Sequence, residues 1–106
     1  MAGSDKDNGK QHGVVLKERA KAKRPKLYRV LFHNDDFTTM EFVVLVLRKF
    51  FEKDRAEATR VMLEVHQTGI GMVAAYAYEV AETKVNKAAA FAKAHDYPLR
   101  ITMEPE

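Results

Sequence analysis

The chain has no cysteine and no tryptophan among its 106 residues. Without cysteine there is no disulfide scaffold and no thiolate set for a metal, and the composition suits the reducing cytosol. Long apolar runs are also missing. Phe42–Leu47 gives six consecutive apolar residues, far below the roughly 20 a membrane helix needs, and Val14-Val15-Leu16 is too short for the apolar region of a signal peptide. The phosphate-cradling and hydrolase signatures GxGxxG, GxxxxGK, HExxH and GxSxG do not occur. Four histidines, His12, His33, His66 and His95, lack the pairwise spacing of zinc ligands, and no nucleophile stands beside an obvious base. The expectation is a soluble, cytoplasmic protein that is not an enzyme and has no cofactor and no metal.

Positive charge is missing from most of the chain, despite a net charge of +3. Residues 1–26 hold eight Lys/Arg against Asp5, Asp7 and Glu18, a net of +5, whereas the remainder holds ten against twelve acids, a net of −2. All the basic excess therefore lies in the leader. With few large apolar residues, residues 1–25 read as a flexible basic N-terminal extension, closed by Pro25, ahead of a single domain over 26–106. A basic arm could meet nucleic acid or an acidic protein surface. The acidic domain has no basic stripe interleaved with aromatics, so a small nucleic-acid or ribosome-associated domain using this arm is kept only as the alternative.

What is present is organised around residues 27–41. Tyr28, Val30 and Phe32 alternate with Arg29 and His33 as a strand. Asn34-Asp35-Asp36 ends it, since these side chains compete for local backbone hydrogen bonds. Thr38 and Glu41 have capping-box spacing, and an apolar run follows. One amide and two carboxylates thus crowd a strand-to-helix turn. The plain reading is a turn with a cap; the excess of acceptors also suits a compact cation with several N–H donors, such as an ammonium group.

Downstream, a helix is expected over 39–51, with Met40, Val43 and Leu47 on one stripe and Phe42, Leu45, Val46, Phe50 and Phe51 widening the buried arc. Asp54 and Glu57 repeat the capping spacing and open a second helix to about Gln67, stopped by Gly69. On it Ala58, Met62, Val65 and His66 share a face. That face is either ordinary core or, with Met40 and Val43, the wall of a pocket with His66 at its rim. Residues 72–78 read as a strand and 79–95 as a helix with a small-residue face at Ala81, Val85, Ala88, Ala89 and Ala92. Leu99, Ile101 and Met103 alternate along a last strand. The order βααβαβ implies an α+β two-layer sandwich, a three-stranded antiparallel sheet packed against three helices.

Three blocks of these residues resemble the ClpS family, the adaptors of bacterial AAA+ proteases. They are Leu27-Tyr-Arg-Val-Leu31 with Asn34-Asp35-Asp36-Phe-Thr38-x-Met40-Glu41-Phe42-Val43, then Val61-Met62-x-x-Val65-His66, and Glu79-Val-Ala-Glu-Thr-Lys84. The resemblance spans residues 26 to about 104. It implies a non-enzymatic adaptor that binds a free N-terminal bulky residue (Leu, Phe, Tyr or Trp) of N-degron substrates and delivers them to ClpAP. By the same resemblance Asn34, Asp35, Asp36 and His66 hold the α-amino group. Thr38, Met40, Val43, Met62, Val65 and Leu99 line the side-chain pocket, and Glu79 and Lys84 belong to the surface that docks on the N-terminal domain of ClpA. The leader is the part engaged by the unfoldase, and neither membrane nor nucleic acid is an expected partner. The chain departs from the pattern at Thr39, where the family usually has proline that would pre-set φ and steady Met40. It also departs at Val73–Ala77, which usually contains glycine, and at His33, a usually apolar position read here as solvent-facing. Such departures suit a divergent second copy.

Overall fold

A computed structural model of the protein describes residues 26–106, so the basic leader and the calls made on it lie outside the described residues. Six elements follow one another: β1 (Leu27–His33), α1 (Met40–Phe50), α2 (Arg55–Thr68), β2 (Ile70–Ala77), α3 (Tyr78–Ala94) and β3 (Arg100–Pro105). β1 is the central strand, with β2 and β3 antiparallel to it on either side. The α+β sandwich of order βααβαβ is the architecture the patterning implies.

The alternation in β1 sorts its side chains. Val30 and Phe32 are fully buried beneath the helices, and burying each such side chain contributes about 1.5–3 kcal/mol. Arg29 faces the other side, where it pairs across the ladder with Glu104 at 2.8 Å. His33 is not simply solvent-facing: it is half-buried, and its Nε2 lies 2.7 Å from the Thr102 hydroxyl. Burial, and then the charge of Arg100, hold its pKa below the ordinary histidine value. Between Val30 and Leu31 the register with β2 slips by one residue, leaving Val73 as the extra, buried residue of a bulge.

α1 buries Phe42, Val43, Val46 and Leu47. Phe42 stacks on Phe91 of α3 at 5.6 Å and meets Tyr97 at 4.3 Å. The buried arc is narrower than the apolar run suggests, for Leu45 is 46% exposed. The start of α1 also differs from expectation. Its N-cap is Thr39, whose hydroxyl accepts from the Phe42 amide at 3.1 Å; Thr38 is held by Asp35 and makes no capping box with Glu41. Thr39 has φ −74°, close to proline's fixed value. Threonine thus keeps a similar backbone and adds a cap bond that proline cannot make. In α2 the Asp54 cap forms as expected, accepting from the Glu57 amide at 2.8 Å, while the Glu57 side chain turns to Arg60.

α2 ends on Gly69, which has φ +92° and returns its amide to the Val65 carbonyl, a left-handed cap that glycine adopts without a Cβ clash. β2 therefore starts at Ile70, two residues earlier than the pattern suggests. α3 lays Ala81, Ala88 and Ala92 against the core, and such small side chains let helix and sheet approach closely. On β2, Gly71 is buried beneath α2: a Cβ there would stand 2.5 Å from Val65 Cγ2 and 3.2 Å from the Val61 carbonyl oxygen. Gly71→Ala must push α2 from the sheet, and is expected to cost about 1–3 kcal/mol in urea unfolding; an unchanged midpoint would show that the helix yields freely.

Candidate functional site

Two chain segments meet at the N-terminal end of α1. One is the loop 34–39, which leaves the central strand; the other is the last turn of α2, which ends at Gly69. They are tied together by the Asn34 amide, which donates to the Gly69 carbonyl at 2.9 Å and so continues the β1–β2 ladder one residue beyond His33 and Ile70.

The loop is shaped from within by Asp35. Its Oδ1 accepts from the Phe37 amide at 2.8 Å and the Thr38 amide at 2.7 Å, and its Oδ2 accepts from the Thr38 hydroxyl at 2.7 Å. Partial burial pushes the carboxyl upward, but these three hydrogen bonds outweigh it and hold the pKa below the ordinary value. Asp35 thus stays ionised and folds the turn so that its neighbours project outward. Asn34 and Asp36 are exposed, and among the described residues their side chains have no hydrogen-bond partner.

Between loop, α1 and α2 lies a cleft of about 330 Å³. Asn34, Asp35, Asp36 and His66 supply its polar rim. Met40 and Val43 from α1, with Met62 and Val65 from α2, supply an apolar wall, and Thr38 lies in the lining with them. The i, i+3, i+4 spacing of Met62, Val65 and His66 places wall and rim on one helix face. Val43 and Val65 are nearly buried, whereas Met40 is 43% exposed. Nine of the ten residues assigned to amine and side-chain recognition thus surround one space. Leu99 does not: it is 7% exposed, packed in the core at the start of β3, and forms no part of this lining. Thr39 joins the lining unannounced, a consequence of its N-cap position, which the capping-box spacing assigns to its neighbour Thr38.

Glu79 and Lys84 lie elsewhere, on α3. They line a separate cavity of about 490 Å³ with Lys49 and Phe50 from the far end of α1. The Lys84 ammonium donates to the Phe50 carbonyl and to Glu52, each at 3.2 Å, and stands 5.4 Å from the centre of the Tyr76 ring. This lysine ties α3 to the end of α1, where Glu52 turns the chain with φ +54°. Glu79 and Val80 beside it are exposed. Among the described residues no group of three or more His, Asp or Glu is placed to hold a metal ion.

A cleft with acceptors at its lip and an apolar wall below can take a group that is cationic at one end and apolar at the other. Comparison with known proteins gives that reading a context. Residues 23–102 match the family model described as ATP-dependent Clp protease adaptor protein ClpS. The ATP-dependent Clp protease adapter protein ClpS of Rhodospirillum centenum is 53% identical, over the whole of both chains. Its namesake from Parvibaculum lavamentivorans is 55% identical over 96% of this chain and 93% of its own. Among solved structures, Agrobacterium tumefaciens ClpS2 bound to L-phenylalaninamide superposes with a TM-score of 0.76 at 41% identity, covering 78% of this chain and all of the other.

Asp35→Ala removes all three of these internal hydrogen bonds of the loop. It is expected to lower stability by about 1–2 kcal/mol, as the loss of a capping carboxylate does. Because the folded-state pKa is depressed, this contribution is present above the ordinary carboxyl value and fades as the pH falls below about 4. Urea unfolding of wild type and variant should therefore differ at pH 7 and converge towards pH 3. A gap that stays constant with pH would rule out the charged form as the source.

Proposed function

The chain belongs to the ClpS family of ATP-dependent Clp protease adaptor proteins, and on that footing we propose that its cleft captures the free N-terminus of substrate proteins that begin with Leu, Phe, Tyr or Trp. The observation that carries this is the meeting of polar rim and apolar wall in one space of about 330 Å³. An α-ammonium group carries three N–H donors at one point. Asn34 and Asp36 offer carbonyl and carboxylate acceptors there, His66 adds a ring nitrogen, and Asp35 adds negative charge while it holds the loop. The first side chain follows into the space between Met40, Val43, Met62 and Val65. Burying it contributes about 1.5–3 kcal/mol, and methionine, being flexible and polarisable, adapts to aromatic and aliphatic shapes alike.

Neither half of the site suffices alone. An internal Phe or Leu has no ammonium, and a small or charged first residue leaves the wall unfilled. The relative solved with L-phenylalaninamide supports this reading, since that molecule combines a free amine with an aromatic side chain. Capture yields a complex, which an adaptor passes to its protease. Delivery needs a second surface, and we assign it to the face of α3 that carries exposed Glu79 and half-buried Lys84, with the N-terminal domain of the ClpA unfoldase as its partner. This face lies at the opposite end of α1 from the cleft, so substrate and unfoldase do not compete for space.

Fluorescence anisotropy with a Phe-initiated peptide and its N-acetylated twin tests the capture. The free peptide is expected to bind and the acetylated one to lose at least about tenfold in affinity, the range for a hydrogen-bonded charge; His66→Ala should weaken the free peptide by a similar factor. Equal binding of the two peptides, or none, overturns the reading. Glu79→Lys should leave peptide affinity unchanged and slow degradation of a Phe-initiated reporter by ClpAP. Undiminished degradation would place the docking surface elsewhere.

A further inference from the structure

Met40 and Met62 wall the cleft on one side and border a second groove on the other. This groove, about 390 Å³, runs along the seam between α1 and α2 away from Asn34 and His66. Leu45, exposed despite its place in the apolar run, forms part of its floor. Arg48 of α1 and Arg55 of α2 stand at its far end, where the two antiparallel helices join. Both arginines are exposed, and among the described residues neither has a carboxylate partner. Glu41 is the one acid in the lining, and it sits beside Met40 at the near end.

Resting on the reading of the cleft given above, we propose that this seam is the track for the residues that follow the captured N-terminus, and that Arg48 and Arg55 select a substrate carboxylate there. The occupant is the same polypeptide, because the groove begins where the cleft ends and shares its two methionines. The position of the carboxylate follows from helix geometry. Eight residues of α1 separate Met40 from Arg48, about 12 Å at 1.5 Å per residue. An extended chain covers that distance in three to four residues at about 3.4 Å each. The fourth or fifth substrate residue therefore reaches the arginines. Residues two and three pass over Met40, Met62 and Leu45. The seam thus reads one feature, an acid a few places on from the N-terminal residue.

The test is a set of Phe-initiated peptides of alanine and serine in which a single Glu or Lys is moved through positions two to six. Affinities for the full-length protein are measured at low and high salt. With wild type, Glu at position four or five is expected to bind about three- to fivefold tighter than Lys at the same position, as an exposed ion pair allows, and the advantage should shrink in high salt. In the double variant Arg48→Glu/Arg55→Glu the preference should reverse, while the uncharged Phe-peptide keeps its affinity. Both positions are on the surface, so the fold should be unaffected, and the wild-type scan stands without the variant. Tight binding of every Phe-peptide whatever the downstream charge overturns the seam proposal and leaves the cleft standing. Failure of the uncharged Phe-peptide to bind overturns the cleft reading itself, and the seam with it.

Discussion

The β1–β2 ladder, extended by the hydrogen bond from the Asn34 amide to the Gly69 carbonyl, is what the cleft depends on. Loop 34–39 and the end of α2 are more than thirty positions apart in sequence, and neither could form a site alone. The antiparallel pairing of β1 with β2 brings them side by side, and Gly69, in a conformation closed to most residues, lets α2 stop and β2 begin within a single turn. Everything at the cleft inherits its position from that junction. His66 stands opposite Asn34 because it lies one turn before Gly69, and Val65 is fixed from below by its contact with Gly71. A longer or looser connection between α2 and β2 would leave the same residues present and their geometry undefined.

The cleft also shows how one residue type can serve two purposes in adjacent positions. Asp35 and Asp36 are chemically identical, yet Asp35 has its acceptors taken by Phe37 and Thr38 while Asp36 faces outward. The first carboxylate makes the loop rigid so that the second can be presented. Under the proposed function, that division limits how much charge the rim offers an incoming ammonium in direct contact, and leaves the rest to longer-range attraction from an acidic domain. It also explains why the turn holds more acceptors than a helix start requires.

The sequence made much of this visible, for local reasons. The alternation of Val30 and Phe32 with Arg29 and His33, the glycine after α2 and the face shared by Met62, Val65 and His66 are each properties of a few consecutive residues. The misreadings have a common source in tertiary competition. Thr38 and Thr39 both stand near an acceptable capping partner, and only the folded loop shows that Asp35 claims Thr38 and leaves Thr39 for the helix. Leu99 is assigned to the pocket by family resemblance alone; it lies just before β3, packed in the core and outside the lining of the cleft. Leu45 belongs to an unbroken apolar run yet is 46% exposed, because burial depends on which face of α1 its neighbours cover, and no pattern within α1 encodes that. His33 was legible as outward-facing, while its bond to Thr102 depends on a strand nearly 70 residues away.

The geometry of α1 bears on how capture and delivery can coexist. Its N-terminal end borders the cleft and its C-terminal end borders the cavity of Glu79 and Lys84, with Phe42, Val46 and Leu47 embedded in the core between them. A helix anchored in this way has no room to shift along its axis without breaking the packing against Phe91 and Tyr97. Occupancy at one end is therefore poorly placed to alter the other by moving the helix. Under the proposed function the two surfaces are coupled by being held on one rigid body, so that binding a partner at one end raises the local concentration of whatever sits at the other. For a member of an adaptor family, that enforced nearness is the means by which one partner is brought to another.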